Sequence, residues 1–171
     1  MQIRPARPDD VDAVFDLLAT SFDGYRAFSP PDWEPPRPEP DERLSMARAF
    51  ERPDVWYVVA SDAHGHAGQC GFVPAHTERW FQGDAIEGLA HFWQLFVRPD
   101  MFGTGLADRL HGMALDEIRA RGFARARLWT PEGQARARRF YEKRGWYLNG
   151  EREDEHGALR IPIVMYVHDL D

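Results

Sequence analysis

The sequence predicts a single-domain α/β fold with a mixed central sheet of about seven strands and helices on both faces. Three observations support this expectation. The 171 residues have the length of one domain, and no internal repeat or flexible linker divides them. In the second half, apolar strand patterns alternate with amphipathic helical patterns, which implies partly parallel strand pairing. We therefore expect residues 1–171 to form one domain with the element order βααβββαβαββ.

The first third of the chain predicts one strand and two helices. Residues 2–6 have the pattern of a short strand. The proline and two aspartates at 8–10 favour a helix start, because proline tolerates the first turn and carboxylates stabilise the positive end of the helix dipole. Six prolines within residues 29–40 predict an extended loop, and a second helix is expected from 41 to 50.

The rest of the chain predicts three consecutive strands, followed by alternating helices and strands. Apolar residues at helical spacing predict one helix from 106 to 121, and Thr130 with Pro131 is expected to open another that ends near Gly145. A hairpin connection is expected between the first two of these strands. The predicted strands are 55–60, 69–75, 91–97, 124–130, 146–150 and 161–169.

The composition indicates a globular protein with an uneven charge distribution. The net charge is −7, yet residues 98–144 carry 11 Lys and Arg against 6 Asp and Glu. That region favours an anionic ligand, whereas the rest of the chain favours a cationic one. The overall acidity also opposes nucleic-acid binding through the arginine-rich segment near residue 140.

Several features bear on location and metal content. No apolar run approaches the roughly 18 residues of a membrane span, and the first residues contain no apolar export segment, so we expect a cytoplasmic protein without a membrane partner. The single Cys70 lies in an apolar run and is expected in the core, in a reducing compartment. His64 and His66 have no third ligand nearby in sequence, so we expect a hairpin connection there and no metal.

The segment "RPDMFGTGLADRL", residues 98–110, joins a predicted strand to a predicted helix. Gly103, Thr104 and Gly105 stand where the backbone turns into the helix. The unpaired N–H groups of a helix start favour a phosphate group, so one interpretation is a phosphate site. The alternative is a tight turn in which glycine supplies unusual dihedral angles. The segment is not a P-loop, because no Lys followed by Ser or Thr comes after the glycines.

Two segments carry a resemblance to a known family. "LFVRPDMFGTGLADRL" resembles the acetyl-CoA loop of the GNAT N-acetyltransferase superfamily, with its QxxGxG or QxxGxA signature. Phe102 stands where Gln or Arg is usual, and Gly105 and Ala107 match. "QARARRFYEKRGW" resembles the second signature of the family. In it Gln134 replaces an Asn, Trp146 replaces a Phe, and the matching residues are Ala137, Phe140 and Tyr141. The predicted element order also agrees with the GNAT fold.

The resemblance implies that the co-substrate is acetyl-CoA. In GNAT proteins the fourth and fifth strands splay apart and the pantetheine arm lies between them. Here Leu95, Phe96 and Val97 of the fourth strand would hold that arm. The pyrophosphate would be held by the amides of Phe102, Gly103, Thr104, Gly105, Leu106 and Ala107, and the second motif would add Gln134, Arg136 and Phe140. The alternative for Arg136 and its neighbouring cations is a solvated helix face.

The resemblance also implies catalytic roles. Tyr141 would donate a proton to the leaving thiolate, or it is a core residue beside Phe140. Acetyl transfer needs a neutral amine, so a base must remove a proton at neutral pH. His91 stands where several family members carry a catalytic Glu, and Glu87, in a possible loop, could act through water. A main-chain N–H, that of Val97, would stabilise the oxyanion.

The resemblance further implies that the acceptor enters opposite the co-substrate, where GNAT proteins build a pocket from the first two helices, their connecting loop and the last hairpin. These pieces are rich in aromatic and acidic residues, and predict a small cationic or partly apolar primary amine. The alternative is that the acids form a soluble surface. The predicted acceptor residues are Tyr25, Phe28, Trp33 and Trp80, with the acidic segment 151–155. A protein or peptide amine, an acyl-CoA sensor without catalysis and a homodimer remain open.

Overall fold

The computed structural model describes residues 1–78, 82–155 and 157–170. The described residues form seven strands and four α-helices in the predicted order. The strands are β1 (Gln2–Pro5), β2 (Trp56–Asp62), β3 (Gly65–His76), β4 (Ala85–Val97), β5 (Arg125–Pro131), β6 (Tyr147–Glu153) and β7 (Ile163–Asp169). The helices are α1 (Val11–Asp23), α2 (Pro40–Ala49), α3 (Leu106–Ala120) and α4 (Ala135–Glu142).

All seven strands belong to one mixed sheet with the order β1-β2-β3-β4-β5-β7-β6. The pair β4–β5 is parallel, and the other neighbouring strands are antiparallel. Parallel pairing is possible there because α3 returns the chain from the end of β4 to the start of β5. The predicted mixed α/β sheet is confirmed.

The helices cover both faces of the sheet, as predicted. Apolar residues of α1 and α2, such as Val14 and Met46, pack with Tyr57 and Val59 on one face. On the other face, residues of α3 and α4 pack in a second cluster with Phe92 and other strand residues. Two apolar layers therefore enclose the sheet, and the strands between them can be buried on both sides.

Several boundaries differ from those expected. β3 and β4 are longer than predicted, and most of the expected hairpin connection between β2 and β3 belongs to the strands themselves. Thr130 and Pro131 end β5 instead of opening α4, because they pair with Val164 and Ile163 of β7. A proline is tolerated at such a strand end, where it removes few ladder hydrogen bonds.

Candidate active site

The centre of the sheet opens between β4 and β5. Their pairing consists of three positions and ends at His91 and Arg127, although β4 continues to Val97 and β5 to Pro131. Beyond that point each strand keeps its outer neighbour, because Gln94–Val97 pair with β3 and the end of β5 pairs with β7. A wedge-shaped gap therefore lies between the two strand ends.

A β-bulge in β4 accompanies this opening. Gly71 of β3 lies opposite Gln94, whereas the next residue, Phe72, lies opposite Phe92, so β4 has one extra residue at this point. A bulge bends its strand and increases the local twist. The bulge therefore falls directly after the last position at which β4 pairs with β5.

Leu95, Phe96 and Val97, predicted to hold the pantetheine arm, form the end of β4 beside the gap. Leu95 and Val97 pack on the α3 side of the sheet, and Phe96 packs on the α1 side. Because one edge of an antiparallel strand exposes the backbone groups of alternate residues, part of this segment presents its polar groups to the gap. The geometry suits an extended ligand that carries amides.

The turn before α3 is built by two glycines with positive φ. Gly103 has φ 77° and Gly105, the N-cap of α3, has φ 87°, a region that favours glycine. The Thr104 hydroxyl donates to the Met101 carbonyl at 2.7 Å, which closes the turn. The glycine interpretation and the phosphate interpretation of this segment are therefore compatible.

The amides of this turn are not all available to a ligand. The N–H groups of Phe102 and Thr104 donate to the carbonyls of Pro99 and Met101 at 3.2 and 3.3 Å. The expectation that every amide from 102 to 107 holds a pyrophosphate is corrected on this point. The first-turn amides of α3, at Leu106 and Ala107, have no acceptor one turn earlier in the helix.

The second motif lies beside this turn. Arg136 of α4 stacks on the half-exposed ring of Phe102, with 3.4 Å between its Cζ atom and the ring centroid. Phe140 is covered in the same way by Arg144, whose Cζ lies 3.6 Å from the ring centroid. Gln134 is the N-cap of α4, but its side chain makes no capping hydrogen bond.

Tyr141 lies on the inner face of α4, 8% exposed, against Phe92, His111 and Trp146. Burial raises the pKa of Tyr141 well above its ordinary value, and Cys70 and Tyr25 add to the effect. The hydroxyl is therefore protonated at neutral pH. Within the described residues no hydrogen bond to it is found, so its proton is available to a ligand atom.

The two predicted bases occupy different surroundings on the same strand. His91 is half-buried, lies at the last pair of β4 with β5, and faces a large cleft. Glu87 is exposed and belongs to β4, so the expectation that it lies in a loop is wrong, because β4 begins at Ala85. His91 follows Glu87 by four positions in β4, which is about 13 Å along an extended strand.

A cleft of about 1240 Å³ lies on the α1–α2 side of the gap. It is bounded by α1, α2, the loop between them and the ends of β3 to β7, which include the elements predicted to bind the acceptor. Tyr25 contributes to its wall. The aromatic lining also includes Phe15, Phe22, Trp93, Phe96 and Trp129.

The other predicted acceptor residues lie elsewhere. Trp33 is buried against Tyr25 and Ile161, and its Nε1 donates to the Leu159 carbonyl at 2.6 Å, so it supports the cleft from behind. Phe28 lines a separate small pocket beside Gly133. Trp80 lies outside the described residues.

The cleft carries charges of both signs. Five acidic residues line it, among them Glu151 and Glu153 of β6. Four arginines line it as well, and two of these, Arg37 and Arg52, pair with aspartates. The acidic segment 151–155 therefore contributes two carboxylates to a mixed lining.

Within the described residues, no group of three or more His, Cys, Asp or Glu could hold a metal ion. None of the described helices is long and apolar enough to cross a bilayer.

The geometry agrees with a family comparison. The model of the acetyltransferase (GNAT) family matches residues 14–146. This chain belongs to the GNAT family. It is 30% identical over 148 residues to an uncharacterized N-acetyltransferase of Archaeoglobus fulgidus, and the match covers 82% of this chain and 89% of that protein. The predicted resemblance is confirmed, and the chain is a GNAT acyltransferase.

Solved structures show the same GNAT fold. An N-acetyltransferase from Staphylococcus aureus has a TM-score of 0.75 at 16% identity and covers 99% of this chain and 98% of its own. The PaiA N-acetyltransferase from Thermoplasma acidophilum, solved in complex with coenzyme A, has a TM-score of 0.69 at 14% identity, with 98% of each chain covered. At these identities the likeness establishes the fold.

Sequence reasoning missed two polar residues of this GNAT cleft, Gln94 and Arg127. Gln94 belongs to a buried network in which its Oε1 accepts from the Tyr57 hydroxyl at 2.5 Å and from Gln69 Nε2 at 3.0 Å. A glutamine within an apolar strand was the available signal for Gln94. Arg127 was hidden among the many arginines of residues 98–144.

Proposed function

We propose that this GNAT protein is an acetyl-CoA-dependent N-acetyltransferase that acts on a primary amine by direct transfer in a ternary complex. The end of β4–β5 pairing at His91 and Arg127 is the observation that supports this most. The gap beyond it has the start of α3 on one face of the sheet and the large cleft on the other. A thioester bound in the gap would lie next to an amine bound in the cleft, so neither substrate would have to pass through the apolar core.

The residues around the start of α3 fit the phosphates of the co-substrate. The free amides of the first helical turn and the guanidinium of Arg136 supply donors and positive charge, and both favour a pyrophosphate. The end of β4, Leu95 to Val97, supplies main-chain groups to an amide-containing arm. When bound there, acetyl-CoA supplies the activated acetyl group.

Tyr141 is the proposed acid. Its hydroxyl is protonated throughout the neutral range, so it can donate a hydrogen bond to the sulfur and pass its proton to the leaving thiolate as the carbon–sulfur bond breaks. A main-chain N–H of β4 that faces the gap, that of Val97 in our prediction, would donate to the carbonyl oxygen.

His91 is the proposed base. It lies in the cleft wall at the closed end of the gap, where an attacking amine would enter. Its ring can take the proton that the nitrogen loses as the carbon–nitrogen bond forms. Glu87 is less suitable, because it is exposed and lies outside the cleft lining.

The acceptor would be a small amine with an apolar part. Aromatic rings such as Phe22, Tyr25 and Trp93 offer apolar and cation–π contacts, and the carboxylates of Glu151 and Glu153 attract an ammonium group. These residues support the proposal of a cationic, partly apolar amine.

Free-thiol release from acetyl-CoA with a panel of primary amines tests this function. We expect amine-dependent thiol release and a stoichiometric acetylated amine, detected by mass spectrometry. Binding of CoA in calorimetry without any release would instead identify an acyl-CoA sensor. An absence of CoA binding would reject the proposal altogether.

A pH–rate profile tests the base. An imidazole must be neutral to accept a proton, so kcat/KM should fall as the solution is acidified through the range where histidines bind protons. His91→Gln should lower the rate and remove this acidic limb, whereas His64→Gln, in an exposed turn, should keep it. A persisting limb in His91→Gln, together with its loss in Glu87→Gln, would transfer the role to Glu87.

A further inference from the structure

Arg127 is a half-buried cation in the wall of the cleft. It belongs to β5, opposite His91 on β4 and Val167 on β7. Its Nη2 donates to the main-chain carbonyl of His76 at 2.7 Å. Its Nε is buried without a hydrogen-bond partner, and no described carboxylate forms an ion pair with it. The guanidinium of Arg127 therefore has N–H donors that no described residue uses, and it lies in the wall of a cleft.

Among the partly buried arginines of the described residues, Arg4 and Arg98 have carboxylate partners, whereas Arg138 donates to the Tyr166 hydroxyl at 3.0 Å and to the Glu132 main-chain carbonyl at 3.1 Å. Arg4 pairs with Asp10 at 2.7 Å, and Arg98 pairs with Asp62 at 2.8 Å and Asp100 at 2.7 Å. A buried cation without an ionised partner costs free energy, because water is removed from it and nothing replaces the water. The same burial lowers the pKa of Arg127, and the field of Glu151 opposes this effect. Arg127 lacks the carboxylate partner that Arg4 and Arg98 have, and its Nε also lacks the side-chain acceptor that Arg138 finds in Tyr166.

Gln94 contributes a second, independent donor to the same cleft. Only 8% of this residue is exposed, and its Oε1 accepts hydrogen bonds from both Tyr57 and Gln69. These two donors fix the orientation of the amide, because the nitrogen could not accept them. Its Nε2 has no hydrogen-bond partner among the described residues. The cleft therefore presents oriented N–H donors from two strands.

We propose that the acceptor is an amino carboxylate, a small molecule with a primary amine and a carboxylate, and that Arg127 binds the carboxylate. This inference rests on the proposed function and narrows its substrate class. A carboxylate accepts hydrogen bonds in a geometry that matches the planar guanidinium and is the common partner of arginine in binding sites. Glu151 and Glu153, in the same cleft, suit the ammonium group, and Gln94 is placed to bond a further oxygen.

The experiment compares two acceptor series in the free-thiol assay. One series contains unbranched ω-amino acids of two to six carbons, and the other contains n-alkylamines of the same lengths. For at least one length, the wild type is expected to favour the amino acid in kcat/KM by about tenfold to 100-fold, the usual weight of a charge-assisted hydrogen bond.

Arg127→Gln should abolish most of this preference by lowering kcat/KM for the amino acids and leaving the alkylamines within about threefold. The matched control is Arg125→Gln, which removes the same charge from the same strand at an exposed position outside the cleft lining. The control should retain the preference of the wild type. CoA affinity in calorimetry should be equal in all three proteins, which shows that the variants fold.

A second measurement needs no variant. A carboxylic acid without an amine, such as butyrate, should compete with the acceptor, whereas n-butanol should compete at least tenfold more weakly. Two results would overturn this inference and leave the proposed function standing. One is an equal wild-type kcat/KM for the amino acids and the alkylamines, and the other is an equal loss of kcat/KM for both series in Arg127→Gln. An absence of thiol release with every amine would instead reject the proposed function.

Discussion

The guanidinium of Arg136 lies over the ring of Phe102, with 3.4 Å between Cζ and the ring centroid. The two residues come from the two motifs that resemble GNAT signatures, and both lie beside the start of α3. Phe102 replaces a polar residue of the signature, and the stacked arginine restores a charged donor close to the same place. In the proposed function, Arg136 would offer a positive charge to the phosphates of the co-substrate, and the Phe102 ring would hold its guanidinium in place.

Arg136→Met should weaken CoA binding by about threefold to 20-fold, since it removes both the charge and the cation–π contact. Phe102→Leu should weaken CoA binding less, because it keeps the charge of Arg136 and removes only the aromatic ring on which that guanidinium lies. Isothermal titration with CoA measures both variants, with Arg139→Met, another exposed arginine of α4, as the control. An affinity loss in Arg139→Met equal to that in Arg136→Met would show that general charge is responsible.

Tyr141→Phe should lower kcat by about 100-fold or more and leave the dissociation constant of CoA within about twofold. The phenol is buried and protonated, so its removal takes away a proton donor and little packing. Single-turnover rates with a fixed amine measure the effect. Tyr147→Phe, at an exposed position on β6, is the control. Unchanged turnover in Tyr141→Phe would show that Tyr141 is not the acid and that its role is packing in the core.

Gly71→Ala should destabilise the protein by about 1–3 kcal/mol. A Cβ atom at Gly71 would overlap Cδ2 of the Tyr57 ring, and Tyr57 is buried and bonded to Gln94. Gly112→Ala, inside α3 with open space around the added atom, should stabilise by about 0.5–1 kcal/mol. Urea unfolding at neutral pH compares them. Equal effects at the two positions would contradict the close packing at Gly71.

The buried side chain of His111 should make the protein less stable in mild acid. It is buried, accepts a hydrogen bond from Trp146 Nε1 at 2.9 Å, and burial, with Arg144 and His168, lowers its pKa to about 4. The unfolded chain binds this proton near pH 6.5 and the folded chain does not. The contribution of His111 to the free energy of unfolding is therefore complete above about pH 7, and it is lost as the pH falls toward 4.

The free energy of unfolding should accordingly fall by about 1–2 kcal/mol more between pH 7 and pH 5 in the wild type than in His111→Gln. Glutamine can still accept from Trp146 and does not titrate. Carboxylates with lowered pKa values, such as Asp10 and Asp54, are common to both proteins and cancel in the comparison. Parallel pH profiles of the two proteins would show that His111 is not the titrating group.

The sequence predicted the element order, because each strand and helix carries its own apolar pattern. It also predicted the glycine turn at 103–105, because positive φ is a local requirement that glycine meets. Boundaries were less accessible: Pro131 was expected in a helix, but its partner Ile163, far along the chain, keeps it in the sheet. Local patterns do not contain such long-range pairings.

The elements that border the large cleft on the α1–α2 side were predictable from the sequence, but most of its lining residues were not. Trp33 was expected to bind the acceptor, yet Leu159, 126 positions away, accepts its indole N–H and holds it behind the wall. Arg127 was one arginine among many in a basic segment. Its lack of an ion-pair partner appears only when the neighbouring strands are in place.

Hydrogen–deuterium exchange with and without CoA shows whether the gap beside β4 and the start of α3 bind the co-substrate. We expect slower exchange in peptides that cover residues 92–107 when CoA is added, and little change in α1 or β1. Exchange in 92–107 that is unaltered by saturating CoA, with protection elsewhere or nowhere, would contradict this expectation.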